Sequence, residues 1–461
     1  MRRALRALPR GPRRAPLPGA LRGAGRADRR KPARRRDRAA GPPTAGPRHR
    51  EADVDHHDTV TVPDSGGVAG EMAWIQRNSP LLDSYVRGLV GDGSFQGLRV
   101  AVALHIDPKT GFLATVLQDA GAEVVVGGSN PRTTRDDVVE HLRRRGIETV
   151  GRRGEPVEDW RAGLLSIGDS EPDLILDDGV ELVVLMAEHQ PEKLAKVRGI
   201  CEKTTTGTVR MRELAEAGTV RLPPSLTVDE ARCKHLFDNR HSTGQTTLLA
   251  ISRLTGMLLT GKRIAIIGYG WVGRGLAIYA RALGAAVSVI EIDPVSALEA
   301  HMDGMAVGDH ATCLPGADLV ITATGVEHVL AGADFDLLDD GVVLANAGHS
   351  DFEIDLPGLA AAGAVGEPVS EHLTCYRLGA KRINVLCEGA LVNISGGAGN
   401  QIEVIDLTFA VQALGARLLA RGEIPPGVHS LPPEVDDAIA RARLASLGIA
   451  MPGDAEAVTL R

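Results

Sequence analysis

The chain has 461 residues, is 43% hydrophobic and carries a net charge of −7. That is length for two or three domains, and it contains no apolar run of 18 residues, which excludes an apolar membrane-spanning helix. Residues 1–50 hold 16 Arg and one Lys against two Asp, a net of +15; the remainder therefore carries −22, and this acidic body has no general attraction for nucleic acid.

Residues 1–66 lack apolar periodicity and are Arg/Pro-rich, so they cannot bury enough surface to offset chain entropy. They are expected to form a disordered extension. A basic arm for an anionic partner and a transit peptide are the other readings, the second weakened by the absence of serine before Ser65. The cysteines (Cys201, Cys233, Cys313, Cys375, Cys387) are scattered and never spaced C-x-x-C. That argues for a reducing, cytoplasmic setting and against a metal site.

From 67 to 245 the pattern is that of one α/β unit. Leu98–Leu104 reads as a strand, His105–Thr110 as the loop after it, and Phe112–Asp119 as a helix. Ala122–Val126 is a second strand, Asp136–Arg145 a helix, Thr149-Val150 the start of a third strand and Asp173–Leu176 a fourth. Ligands gather at the carboxyl ends of strands in such sheets, and His105 and Asp178 stand at such ends. In GICEKTTTG, Thr204, Thr205 and Thr206 precede a helix, where capping explains them as well as ligand binding does. In KHLFDNRHSTGQTT, Lys234 and Asp238 are four apart and on an α-helix would share a face. A helix over Thr246–Leu259 then leads to the next unit.

That unit, 246–400, opens with GKRIAIIGYGWVGRG. Ile264–Ile267 is a buried parallel strand, and Gly268, Gly270 and Gly273 follow as G-x-G-x-x-G ahead of a helical pattern from Val272 to Leu283. Ala286–Ile290 is a second strand closed by Glu291, 18 residues after Gly273. Gly268 permits the tight turn, Gly270 the approach of a pyrophosphate and Gly273 the packing of the helix on the sheet. An acid at 291 accepts from ribose hydroxyls and repels a 2′-phosphate, so the cofactor is read as NAD. Further strands are expected at Ala317–Thr322, Gly341–Ala345 and Ile383–Leu386, and a long amphipathic helix at Ile402–Ala420 within a C-terminal segment, 401–461.

LILDDG, TTTG, KHLFDNR, STGQ, the glycine fingerprint, EIDP, NAGHSDFEID and LVN occur in that order. Together they resemble the S-adenosylhomocysteine hydrolase (adenosylhomocysteinase) family, from about Ala73 to about Ile449. The resemblance implies two doubly wound Rossmann-like domains, for substrate and for NAD, with C-terminal helices returning to the substrate domain. It implies a homotetramer assembled through the Ile402–Ala420 helix and the cofactor domain, and an adenine nucleoside as substrate. The implied reaction is 3′-oxidation, C4′ deprotonation, loss of the C5′ group, addition of water and re-reduction. Lys234, Asp238 and His349 would serve the 3′-oxidation, and His105 and Asp178 the proton transfers at C4′ and C5′. NAD contacts fall on Thr204, Thr205, Thr206, Asn239, Gly268, Gly270, Val272, Gly273, Glu291, Asn346 and Asn393. Substrate contacts fall on Asp107, Lys109, Glu202, Lys203 and Asn400.

The chain also departs from the family pattern. Glu202-Lys203 stands for Glu-Glu, Gly399-Asn400-Gln401 for a Gly-His-Pro turn, Gly179-Val180 for paired glycines, and Asn239-Arg240-His241-Ser242 for Asn-x-Tyr-Gly. A C-terminal Lys and Tyr are absent from Pro452–Arg461. Kept chemistry and altered recognition favour a specialised paralogue acting on a modified nucleoside, even a 5′-dehydratase. An ordinary adenosylhomocysteinase is the alternative. A partner-binding relative without turnover is a third reading, opposed by the intact chemical residues.

Overall fold

The computed structural model describes residues 67–218, 220–349 and 351–452. The extension expected over 1–66, and all of Pro452–Arg461 beyond its first residue, lie outside the described residues.

The first sheet is seven-stranded and parallel throughout. Its spatial order is Glu148–Val150, Glu123–Gly128, Arg99–Leu104, Leu174–Asp177, Gly199–Glu202, Ser225–Thr227, Val428–Ser430. Winding reverses between Arg99–Leu104 and Leu174–Asp177, where Ala103 lies opposite Asp177. Such a reversal opens a crevice at the carboxyl ends. His105 and Asp178 are the residues that follow these two strands.

The second sheet has eight strands and the same winding. Its order is Ala306–Val307, Ala286–Ile290, Arg263–Ile267, Leu319–Thr322, Val342–Asn346, Lys381–Leu386, Leu373–Leu378, Val365–Ser370, and the last two are antiparallel. Here the reversal lies between Arg263–Ile267 and Leu319–Thr322, which run into Gly268 and Ala323. Val100–Leu104 and Ile264–Ile267 are buried on both faces, as parallel strands between helical layers require. The fold is thus two Rossmann-like domains.

Three expectations need correction. The Ile402–Ala420 helix is not amphipathic: Ile405 to Ala416 are all buried, in one core with the first sheet. Only its two ends, with Glu403 and Arg417 among them, reach the surface. The helix expected over Thr246–Leu259 is present as an α-helix, Gly244–Thr255, ended early by Gly256 at φ +67°, and a π-helical stretch, His235–Thr243, runs into it. The Val365–Ser370 and Leu373–Leu378 hairpin was not anticipated, because its outer strand is exposed along its whole length and shows no alternation.

Candidate active site

His105 and Asp178 face each other across the first crevice, with His105 Nε2 3.6 Å from Asp178 Oδ2. Thr133 fixes the imidazole. Its hydroxyl donates to the Asn130 carbonyl at 2.9 Å and so accepts from His105 Nδ1 at 2.7 Å. That leaves Nε2 with its lone pair toward the crevice. Burial, helped by Lys203 and His349 and opposed by Asp178, holds the His105 pKa below its ordinary value, so the ring is neutral.

Asp178 is buried, and neither of its oxygens makes a well-directed hydrogen bond. The Lys203 ammonium lies 2.6 Å from Oδ2. Burial alone would raise the Asp178 pKa, but Lys203, His105 and His349 outweigh it and hold the group well below the carboxylate range. Lys203 therefore turns inward. Glu202, expected to bind substrate, instead receives Gly179 N and Val180 N at 3.0 Å and both donors of Thr204. Its carboxylate holds the loop that carries Asp178. Burial and the neighbouring Asp177 raise its pKa.

The second sheet supplies His349, from the loop after Val342–Asn346. Its Nε2 would lie 2.4 Å from a Cβ built on Gly179. The carboxyl ends of both sheets therefore meet at Asp178, His105 and His349.

Lys234 donates to Asp229 at 3.1 Å and to Asn239 at 2.6 Å, not to Asp238. The reason is local: in a π-helix the residue five along, not four, comes under the side chain. Burial would lower the Lys234 pKa, but Asp229 and Asp238 raise it further. Asp238 is buried; it accepts from Thr408 at 2.8 Å and from the Asn400 amide. Asn400, expected at the substrate, also donates to Thr243 at 3.1 Å and accepts from Asn393 at 3.0 Å. Asp107 caps its helix and pairs with Lys109 at 2.8 Å, and Lys109 donates to the Ala398 carbonyl at 2.8 Å. Asp107 and Lys109 therefore meet the 395–400 turn.

The glycine fingerprint fits a dinucleotide. Gly268 has φ +101° and would carry a Cβ 2.7 Å from the Ala323 carbonyl; at Gly273 a Cβ would be 2.0 Å from the Gly268 carbonyl. Gly270 faces open space ahead of Trp271–Ala282, where Val272 is half-buried. Glu291 accepts from Tyr269 N at 2.6 Å and from Ile292 N and Asp293 N. Thr204 caps its helix, Thr205 donates to Asp229 at 2.7 Å, and Thr206 borders Gly325 beside the second crevice. Asn346 donates to the Gly389 carbonyl at 2.8 Å. Asn393 is buried, and its Oδ1 has no hydrogen-bond partner. That orphaned acceptor suits the carboxamide of a nicotinamide.

Thr133, Asp229 and Thr408 lie in none of the quoted motifs, and only Asp229, five before Lys234, has a spacing that signals a partner; Thr243 lies in STGQ, which gives it no role by itself.

The site and fold define a dinucleotide-dependent α/β enzyme with an imidazole–carboxylate pair facing the cofactor domain. Residues 71–193 match the family description "S-adenosyl-L-homocysteine hydrolase", and residues 239–399 match its "NAD binding domain". Adenosylhomocysteinase of Thermococcus kodakarensis is 40% identical over 380 residues, covering 82% of this chain and 90% of that one. The Thermotoga maritima adenosylhomocysteinase is 41% identical over 385 residues, with 82% and 95% covered. The S-inosyl-L-homocysteine hydrolase of Methanosarcina mazei is 39% identical over 381 residues, with 82% and 92% covered. The chain belongs to the S-adenosyl-L-homocysteine hydrolase family and is an NAD-dependent enzyme.

Proposed function

We propose that the chain hydrolyses an S-nucleosyl-L-homocysteine, with S-adenosyl-L-homocysteine the first candidate, to the nucleoside and homocysteine. The observation that carries this is the meeting of neutral His105, ionised Asp178 and His349 where the two sheets' carboxyl ends converge. NAD, when bound, supplies reversible two-electron oxidation at C3′. Lys234, an ammonium in the free protein through Asp229 and Asp238, takes and returns the 3′-hydroxyl proton once it has given up its own, Asp238 orients the ribose, and His349 serves the same step. A 3′-ketone makes the C4′ hydrogen acidic, so the C5′ thioether leaves by elimination rather than by slow displacement. His105 Nε2 carries the proton of that step and of water addition; Thr133 orients the imidazole, and Asp178 accepts from the water. A homotetramer and a cytoplasmic setting belong to the same reading; light scattering tests the first.

A second reading has its own observation. Lys203 places a cation beside Asp178. A 5′-hydroxyl is a far poorer leaving group than a thiolate and benefits from such a donor, which favours a dehydratase that stops at the 4′,5′-alkene of a modified nucleoside. Incubation with S-adenosyl-L-homocysteine, S-inosyl-L-homocysteine and nucleosides bearing a free 5′-hydroxyl, with products identified by mass, decides. Homocysteine release supports the hydrolase; loss of 18 mass units without it supports the dehydratase.

A further inference from the structure

We infer that Lys203 is a positioning residue: its ammonium keeps Asp178 a carboxylate and leaves neutral His105 as the single proton carrier of the C5′ step. The inference deepens the proposed function and rests on it. Its ground is geometry. Lys203 follows the strand Gly199–Glu202 and reaches across to the loop after Leu174–Asp177, where Nζ lies 2.6 Å from Asp178 Oδ2. Asp178 is buried, 1% exposed, and the Lys203 side chain is 13% exposed, so solvent screens the pair less than it does a surface pair. The centre of the Phe409 ring lies 6.0 Å from Nζ.

The groups that act on Asp178 come from every neighbouring element. His105 lies after Arg99–Leu104, His349 after Val342–Asn346, Asp177 and Glu202 end adjacent strands, and Lys234 lies just ahead of the π-helix. His105 and His349 carry no fixed charge when neutral, and Asp177 and Glu202 have pKa values raised by burial. Lys203 is the cation in contact with Asp178, whereas Lys234 is spent on Asp229 and Asn239. Without Lys203, Asp178 would be a buried carboxylate lacking a directed hydrogen bond, and it would take up a proton to escape that cost. A protonated Asp178 would turn its O–H to the Nε2 lone pair of His105 and occupy the acceptor that the C5′ step needs.

The test is the pH profile of kcat/KM for product formation in wild type, Lys203→Met, Lys203→Arg and Asp178→Asn. An opposite charge in contact lowers a carboxyl pKa by about 1 to 3 units. In Lys203→Met the acid limb should therefore move to higher pH by at least about one unit, while Lys203→Arg keeps it in place. Adding Lys203→Met to Asp178→Asn should move it by less than in the wild-type background, because only the effect of Lys203 on His105 is left. Carboxyl titration of the free protein by carbon-13 nuclear magnetic resonance, with Asp178 assigned through Asp178→Asn, should show the same displacement without turnover. Near-ultraviolet absorbance of reduced nicotinamide on mixing with nucleoside reports whether the site has formed. An unmoved limb and an unmoved carboxyl titration in Lys203→Met overturn the inference. Failure of wild type to reduce nicotinamide with any nucleoside overturns the proposed function instead, and this inference with it.

Discussion

The imidazole of His349 lies against Gly179, so that a Cβ on Gly179 would stand 2.4 Å from Nε2 and 3.1 Å from Cε1. The glycine has φ +85°, a conformation that side chains rarely adopt. Gly179→Ala should displace His349 from the crevice and lower product formation by about 10²-fold, the usual cost of an ångström-scale misplacement. The check is kcat in Gly179→Ala, His349→Ala and the double variant. The double variant should be no worse than His349→Ala alone.

Thr133 offers a second, independent handle on the same chemistry. With its proton committed to the Asn130 carbonyl, its oxygen can only accept, and this sets His105 with Nε2 free. Thr133→Val keeps the shape and removes the acceptor. Product formation should fall by about 10-fold or more, while nicotinamide reduction by nucleoside is retained. Stopped-flow absorbance and product assay on one preparation separate the two effects.

Much of this arrangement was legible before the structure. The windings follow from alternating apolar runs and helical patterns, and His105, Asp178 and Gly268 follow from their position at strand ends. Side-chain partners were not legible, because they depend on contacts between distant segments. The changed segments Asn239–Ser242 and Gly399–Gln401 read separately as altered substrate contacts. In the fold they touch each other: Ser242 donates to the Gln401 side chain and accepts from Gln401 N at 3.1 Å. Lys203 and Glu202 both read as substrate contacts. Only the fold shows that Lys203 turns in to Asp178 and that Glu202 serves the loop amides. Spacing by four also misplaced Lys234, since a π-helix has no signature that separates it from an α-helix in sequence.

Burial makes stability depend on pH in a stated direction. Asp177 and Glu202, side by side at the ends of adjacent strands, both have pKa values raised by burial, so the folded state binds more protons than the unfolded state above about pH 4. Their stabilising contribution is complete below the unfolded carboxylate value and is lost as pH rises through the raised folded values. Melting temperature should therefore fall on going from about pH 6 to about pH 9. Glu202→Gln, neutral at every pH, should flatten that slope; an unchanged slope would count against the raised Glu202.

Nucleotide binding gives a direct prediction at Glu291. Its carboxylate is preset by three backbone amides, from Tyr269, Ile292 and Asp293. Bonds to a charged acceptor are worth about 1.5 to 3 kcal/mol, so Glu291→Ala should weaken NAD binding by about 10- to 100-fold. Calorimetry of the nicotinamide-stripped protein measures it. Added NAD at about 100 times its Kd should also stabilise the wild type by about 2.7 kcal/mol against denaturant. Absence of both binding heat and stabilisation would contradict the assignment of the fingerprint.

Asn400 bears on which base the site accepts. Both of its amide protons are committed, to Asp238 and to Thr243, and its oxygen accepts from Asn393. It therefore has no proton left for a purine nitrogen or for a purine carbonyl oxygen. Its role falls on the orientation of Asp238 and Asn393, both of which act away from the base. Asn400→Ala should lower kcat/KM for S-adenosyl-L-homocysteine and for S-inosyl-L-homocysteine by the same factor, about 10-fold or more. The ratio of the two substrates should stay within about threefold, because a residue that read the base would shift it by far more than that. Measuring both constants in wild type and variant is sufficient. A ratio that moves tenfold in either direction would return Asn400 to the substrate and make it a reader of the purine.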